Sequence, residues 1–195
     1  MIRRFWKLCK TILNNLTDVA IFQEATDKFS CYDARCPHCG ATGKLTPYGS
    51  YPRHLVSYED GAVVDRLVWP LRFDCGSCDT THALLPDILV PYSPYSLRFK
   101  LLVLVAYFER DTTVLAVCEC FGIAVSTLYA WKKRLLEHKD LLLGMLTSKK
   151  EQAIAFLHGL FVANGLSVIL RGFFQQYAFS FLQNRSTLAT HTRPP

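Results

Sequence analysis

Hydrophobic residues near the start of the chain recur at every third or fourth position, the spacing of one face of an α-helix. Polar residues such as Lys7, Lys10 and Asp18 fill the positions between them. The pattern predicts an amphipathic helix in the N-terminal region, residues 1–30, that packs on the rest of the chain. Its apolar positions are Phe5, Leu8, Ile12, Leu16, Val19 and Phe22.

Residues 31–91 lack this helical spacing and consist of short apolar stretches separated by glycine and proline. Residues 59–61, Glu-Asp-Gly, are expected to form the turn of a β-hairpin. Alternation after this turn predicts a half-buried strand, and Pro70 indicates that the strand lies at a sheet edge or contains a bulge. The predicted apolar face of that strand consists of Leu67, Trp69, Leu71 and Phe73.

The second half of the chain follows helical spacing. Three prolines, at 86, 91 and 94, predict an extended linker that leads into it. Residues 96–148 are expected to be helical, with a break at Gly122. The chain as a whole is therefore predicted to be α+β, with a small β-rich unit followed by helices.

A further pair of helices is predicted within residues 149–184, at about 150–163 and 167–184. Asn164 and Gly165 form a strong stop signal between them, and residues 185–195 form a polar tail. We expect the two helices to pack antiparallel and to bury an apolar face. The buried positions are expected to include Phe156, Leu160, Phe173 and Phe181.

Residues 153–170 contain no charged side chain, and their length reaches the lower limit for a transmembrane helix. Asn164 and Gly165 interrupt this stretch and favour buried helices over a membrane span. A membrane-associated protein stays open as an alternative.

Composition narrows the class of protein. The chain has 195 residues, of which 50% are hydrophobic and 19% charged, so it is expected to fold as one domain or two small ones. The net charge is +6, but it is unevenly distributed, at −2 for residues 31–95 and +4 for residues 96–150. Positive charge concentrated in the helical region favours an anionic partner.

Two Cys-x-x-Cys pairs lie in the β-rich region, one at Cys36 and Cys39 and the other at Cys75 and Cys78. Each pair allows two thiolates to converge from one tight turn, and a hairpin between them brings the two turns together. Four converging thiolates are the ligand set of a structural zinc site. We predict one structural Zn²⁺ in a zinc ribbon over residues 31–91, closed by four ligands and without a catalytic role.

Other ligands and other uses of cysteine stay open at this point. His82 is the best substitute for one of the four cysteines, and His38, His54 and Cys31 are further candidates. A redox role for a single Cys-x-x-Cys pair is disfavoured because no helix follows the first cysteine. Three other cysteines are expected to lie outside the site, namely Cys9, Cys118 and Cys120.

Residues 112–134 carry the spacing of a helix-turn-helix. Gly122 is expected to end the first helix in the left-handed conformation, and a small residue at Cys118 allows the second helix to approach closely. The positions expected to face the core are Val117, Phe121, Ile123, Leu128 and Trp131.

The opposite face of the second helix is expected to read DNA. Short polar groups at its start suit base edges in the major groove, and basic residues at its end suit phosphates. The predicted DNA-binding residues are Val125, Ser126, Thr127, Tyr129, Ala130, Lys132, Lys133 and Arg134.

With these elements in order, the chain resembles the N-terminal regions of bacterial insertion-sequence transposases, which join a zinc ribbon to a helix-turn-helix. It also resembles an uncharacterised bacterial zinc-ribbon family associated with mobile elements. The resemblance covers residues 31–135. The matching motifs are residues 36–40 (CPHCG), 53–54 (RH), 71–78 (LRFDCGSC), 81–86 (THALLP) and 122–131 (GIAVSTLYAW).

The resemblance implies the DNA-recognition part of such a protein, without the acidic nuclease domain. The expected function is sequence-specific binding of double-stranded DNA, as a transposon-associated accessory factor, a truncated transposase or a regulator. Expected partners are a transposase or recombinase and a second copy of the chain, with no small-molecule substrate. The expected location is the cytoplasm, at the nucleoid.

Two other classes of function are alternatives to DNA binding. No serine–histidine–aspartate order, phosphate-binding glycine loop or deaminase motif is present, so an enzyme is not expected. A protein–protein adaptor, with the ribbon and the apolar C-terminal helices as its surfaces, is the main alternative.

Overall fold

The computed structural model describes residues 17–109, 111–146 and 166–183. These residues form five strands followed by helices, with one helix before them, and so confirm a mixed α+β architecture. In chain order the elements are α1 (Asp18–Asp27), β1 (Leu45–Ser50), β2 (Arg53–Glu59), β3 (Ala62–Val68), β4 (Leu71–Cys75), β5 (Thr80–Ala83), α2 (Leu97–Glu109), α3 (Val114–Phe121), α4 (Val125–Leu146) and α5 (Leu166–Tyr177).

Three antiparallel strands in the order β1-β4-β5 form one sheet. Leu45 at the start of β1 pairs with Cys75 at the end of β4, and the register shifts between Pro47 and Gly49. A small separate core lies against this sheet, where the rings of Phe29 and Phe73 are 5.0 Å apart. The sheet therefore has its own apolar cluster, apart from the helical core.

The predicted hairpin turn is confirmed between β2 and β3. Asp60 and Gly61 both have positive φ angles, 49° and 87°, which is the backbone of a tight two-residue hairpin turn. β2 and β3 form a separate two-stranded sheet and do not pair with the strands of the three-stranded sheet. Leu55 and Val68 from this hairpin are buried together with Phe22 of α1.

The prediction of one strand with Leu67, Trp69 and Leu71 on its buried face is wrong. The strand is interrupted at Trp69 and Pro70, which lie between β3 and β4, and Trp69 is 54% exposed. Val68 is buried instead, because the interruption changes which positions face inward. Only Phe73 keeps the burial that the alternation predicted.

The prediction of a continuous N-terminal helix is also wrong at Thr17. This residue has an extended backbone, and its hydroxyl oxygen accepts a hydrogen bond from the N–H of Ala20, so a helix begins at Asp18. Asp18 is buried and forms an ion pair with Arg98 of α2 at 3.1 Å. The predicted apolar positions Phe5, Leu8, Ile12 and Leu16, and also Cys9, lie outside the described residues.

The proline-rich linker is more compact than the predicted extended segment. Ile88, Leu89 and Val90 are buried, since this segment runs between the β2–β3 hairpin and α2. The guanidinium of Arg53 donates hydrogen bonds to the carbonyl oxygens of Val90 and Ser93. The linker thus fixes the hairpin to the helices.

The main core surrounds α2, most of which is buried because its sequence is almost entirely apolar. The predicted helical stretch contains a second break besides Gly122. Thr113 has an extended backbone and accepts a hydrogen bond from the N–H of Ala116, so α3 starts afresh after α2. The aromatic centre of this core consists of Tyr58, Tyr95, Phe99, Phe121 and Trp131.

The last helix ends earlier than the predicted residue 184. The helix α5 ends at Tyr177, since Ala178 adopts a left-handed backbone with φ of 57°. Phe173 and Phe181 are buried as predicted and pack around the ring of His138. The first helix of the predicted pair, with Phe156 and Leu160, and the tail lie outside the described residues.

No single helix among the described residues is long and apolar enough to cross a membrane. Only α3 and the first part of α4 reach that threshold when taken together, and they are bent by 102° relative to each other. Most of the apolar stretch at 153–170 lies outside the described residues.

Candidate functional site

The first cysteine pair lies in a turn just before β1. The N–H of Gly40 donates to the carbonyl oxygen of Cys36 at 2.9 Å, and the N–H of Cys36 donates to Ala41 at 2.8 Å. Gly40 has a φ of +76°, which side chains other than glycine rarely adopt. The glycine therefore allows the tight turn that directs both thiols to one side.

The second cysteine pair lies in the turn between β4 and β5. The N–H of Asp79 donates to the carbonyl oxygen of Cys75 at 2.9 Å. The N–H of Gly76 donates to Lys44, directly before β1, at 3.0 Å. The pairing of β1 with β4 therefore brings this turn beside the first one.

The structure brings all four predicted cysteines together, with their Sγ atoms within 4.8 Å of one another. Cys36 Sγ is 3.8 Å from Cys78 Sγ, and Cys39 Sγ is 3.7 Å from Cys75 Sγ. These distances are far longer than the disulfide bond of about 2.05 Å. A tetrahedron with metal–sulfur bonds of about 2.3 Å has edges of about 3.8 Å. The sulfurs therefore fit a tetrahedral metal ion.

Local hydrogen bonds favour the thiolate form of two of these cysteines. The backbone N–H of Cys39, with a smaller contribution from that of His38, lowers the pKa of the Cys36 thiol to about 5. A hydrogen bond with the side chain of Thr80 lowers the pKa of Cys78. Because the thiolate is the form that binds metal, both effects suit metal binding. At Cys39 a backbone hydrogen bond from Ala41 is outweighed by desolvation and by the neighbouring thiols of the cluster, which together raise the pKa to about 12 while no metal shares the sulfurs.

The alternative ligands have other positions in the structure. His82 Nε2 is 3.3 Å from Cys36 Sγ, so it adjoins the cluster as a hydrogen-bonding neighbour of one sulfur. His54 Nδ1 is 2.9 Å from Asp65, on the β2–β3 hairpin. Cys31 packs against the core of the three-stranded sheet, and His38 is exposed. The four-cysteine group does not include any of them.

The helices α3 and α4 meet at 102° across the short turn at residues 122–124. Gly122 ends α3 in the left-handed conformation, with φ of 59° and ψ of 37°, as predicted. Cys118 is buried and Cys120 is exposed, which confirms that the two face different ways. All five positions predicted to face the core are buried, namely Val117, Phe121, Ile123, Leu128 and Trp131.

The predicted DNA-binding residues of α4 fall into different environments. Ser126 is exposed, as are Tyr129 (45%) and Lys133, whose side chain is 78% exposed. Thr127, Ala130 and Arg134 are partly buried. The placement of Val125 on the outer face is wrong, because this residue packs against the helical core at the first position of α4. Lys132 is partly buried between two tyrosines.

Sequence reasoning missed a buried cation behind this helix pair. Lys100 of α2 is 1% exposed, and its Nζ lies 5.6 Å from the centroid of the Trp131 ring. Burial, reinforced by the charges of Arg134 and Arg53, lowers its pKa to about 7. The available signal was a single lysine inside the apolar run of residues 99–106.

Residues 36–131 are similar to a family described as a domain of unknown function (DUF6431). The matched segment begins at the first cysteine of the cluster and ends at Trp131 in α4, so it contains both the cysteine cluster and the α3–α4 pair. No curated protein and no solved structure matches the chain.

Proposed function

We propose that this protein is a zinc-stabilised, sequence-specific DNA-binding protein without catalytic activity. In this proposal α3 and α4 form a helix-turn-helix, and the N-terminal part of α4 enters the major groove. The observation that carries it is the 102° crossing of two helices over a short turn with a left-handed glycine. DNA-binding helix-turn-helix units have interhelical angles of about 90–120° and a three- to four-residue turn that often contains glycine.

The exposed side chains of α4, among them Ser126 and Lys133, support the same proposal. Ser126 offers a hydroxyl near the start of the helix, where recognition helices contact base edges. Lys133 lies two turns further along with an extended, exposed ammonium, and its nearest carboxylate, Glu137, is 4.0 Å away. Residues 96–150 carry a net charge of +4. In protein–DNA complexes, contacts with base edges determine the sequence and contacts with phosphates position the protein. A hydroxyl near the start of α4 and a lysine two turns later suit these two kinds of contact.

The cysteine cluster is proposed to hold one structural Zn²⁺, which would make the three-stranded sheet a zinc ribbon. Thiolates are soft ligands that suit zinc, and four of them would complete its coordination. Catalytic zinc sites keep one position open for water or substrate. A site closed by Cys36, Cys39, Cys75 and Cys78 therefore supports bracing of the fold, not hydrolysis.

The resemblance to the DNA-recognition regions of transposases supports a role around mobile elements. In this context the protein would act at the nucleoid as an accessory factor, a truncated transposase or a regulator. A transposase, a recombinase or a second copy of the chain would be its protein partner.

Lys133→Ala is expected to weaken binding to all duplex sequences alike, because Lys133 is proposed to contact a phosphate. Each lost phosphate contact reduces the slope of log K against log salt by about one unit. The measurement is the affinity for a random-sequence duplex pool at several salt concentrations. Lys28→Ala is the matched control, since Lys28 directly follows the last residue of α1 and its side chain is 74% exposed. We expect this control to leave the slope unchanged.

Two results would contradict the proposal. A wild-type chain without salt-dependent duplex binding would favour the protein–protein adaptor. Cleavage of the duplex by the metal-loaded protein would show an enzyme instead.

A further inference from the structure

Two consecutive lysines of α4 have opposite environments. Lys132 Nζ donates a hydrogen bond to the hydroxyl oxygen of Tyr107 at 2.8 Å. The same ammonium lies 5.0 Å from the ring centroid of Tyr107 and 5.7 Å from that of Tyr129. Lys133, by contrast, extends into solvent with a side chain 78% exposed. The sequence pattern predicts phosphate contacts for both lysines.

The three side chains form a single packed unit across two helices. Tyr107 comes from α2, whereas Tyr129 and Lys132 are three residues apart on α4 and therefore share one face. The two tyrosine rings meet edge-on, with centroids 6.3 Å apart and an interplanar angle of 76°. The ammonium is held by the hydroxyl of Tyr107 and attracted by the ring of Tyr129, so it restrains this exposed ring against α2.

Reaching a DNA phosphate would cost Lys132 these interactions. The ammonium would have to give up the hydrogen bond to the hydroxyl of Tyr107 and its contact with the ring of Tyr129. Lys133 and the half-buried Arg134 lie next to it and need no such rearrangement to approach a phosphate. The neighbouring cations are therefore better placed for the electrostatic part of binding.

Resting on the proposed DNA-binding function, we infer that Lys132 is a positioning residue for sequence reading and makes no phosphate contact. It holds Tyr129 against Tyr107, so that Tyr129 presents a fixed aromatic side chain to the base pairs in the major groove. A restrained ring loses less conformational freedom when it contacts a base pair, so it raises the affinity for a sequence that makes this contact and leaves the affinity for other sequences unchanged. The affinity for a chosen sequence then depends on a residue that does not touch the DNA.

The test compares Lys132→Ala with Lys133→Ala, two variants that remove the same charge one position apart. A duplex selected by the wild-type chain from a random pool and a scrambled duplex are titrated at three salt concentrations. Lys133→Ala is expected to lower the salt slope by about one unit and to keep the discrimination between the two duplexes. Lys132→Ala is expected to keep the salt slope and to lose roughly 5- to 150-fold in discrimination, the range for one base contact.

Tyr107→Phe serves as the second variant, since it removes only the hydroxyl acceptor and keeps the ring that packs in the core. We expect it to reduce discrimination in the same direction as Lys132→Ala, with an unchanged salt slope. A merely structural role of Lys132 would lower the stability of the fold without changing the preferred sequence.

The inference is overturned if Lys132→Ala lowers the salt slope as much as Lys133→Ala does. It is also overturned if Tyr107→Phe and a folded Lys132→Ala both select the wild-type sequence with wild-type discrimination. Failure of the proposed function looks different, because the wild-type chain would then show no salt-dependent affinity for either duplex, and the inference would fall with it.

Discussion

Replacing Cys39 with serine is expected to abolish metal binding at the proposed zinc site and to unfold the three-stranded sheet. Cys39 is exposed, so a serine there disturbs little of the apolar core by itself. The sheet has only a small apolar cluster of its own, around Leu45 and Phe73. Zinc binding in small zinc domains contributes about 10–16 kcal/mol to folding, which a core of this size does not replace.

Metal content and amide hydrogen exchange measure the loss of the metal and the unfolding of the sheet separately. Metal analysis of the purified chain is expected to give one zinc for the wild type and none for Cys39→Ser. Amide hydrogen exchange in β1, β4 and β5 is expected to rise to the rate of an unfolded chain. The β2–β3 hairpin is expected to keep its protection, because Leu55 and Val68 pack against α1 and the linker instead of the metal site.

Cys120→Ser is the matched control for this experiment. It makes the same chemical change at another exposed cysteine, which lies outside the metal cluster. It should retain zinc and the exchange pattern of the wild type. Full exchange protection of the three strands in zinc-free Cys39→Ser would refute a metal-dependent sheet.

The features that sequence predicted well are those fixed by local backbone chemistry. The two Cys-x-x-Cys turns, the positive-φ turn at Asp60 and Gly61, and the left-handed Gly122 each depend on a few consecutive residues. Such signals do not depend on how distant elements pack. For the same reason the core face of the α3–α4 pair could be predicted from helical spacing.

The features that sequence missed depend on contacts between distant elements. The alternation around Trp69 suggested one long strand, but β3 pairs with β2 whereas β4 pairs with β1. A chain that changes sheets between Val68 and Leu71 also changes its inward face, which no periodicity within the strand reveals. The packing of Lys132 was missed for a similar reason, since its hydrogen-bond partner Tyr107 lies 25 positions earlier on another helix.

Lys100 is the clearest case of a residue whose role only the packing reveals. Its ammonium lies against Trp131, and the nearest charges that affect it, Arg134 of α4 and Arg53 of β2, are both positive. Burial and these two like charges all disfavour its protonated form. The buried ammonium therefore lowers the stability of the fold at neutral pH, and no carboxylate among the described residues forms an ion pair with it.

Lys100→Met is expected to stabilise the protein near pH 7, with an advantage that shrinks as the pH rises. The pKa of Lys100 is lowered to about 7 in the folded chain, whereas an unfolded lysine has a pKa of about 10.4. Between these values the unfolded chain binds more protons, so the stability of the wild type rises with pH in this window. One titrating group changes the free energy of unfolding by up to about 1.4 kcal/mol per pH unit. The measurement is urea unfolding of both chains at pH 7, 8, 9 and 10.

The difference between the two chains isolates Lys100, because the cysteines and tyrosines titrate equally in both. Lys133→Met is the control, since it replaces an exposed lysine of α4 with the same side chain. We expect its stability to differ from that of the wild type by an amount that does not change with pH. A constant difference between wild type and Lys100→Met over the whole range would mean that Lys100 stays protonated in the folded chain. The ring of Trp131 would then stabilise the buried ammonium strongly enough to offset its desolvation and the repulsion from Arg134 and Arg53.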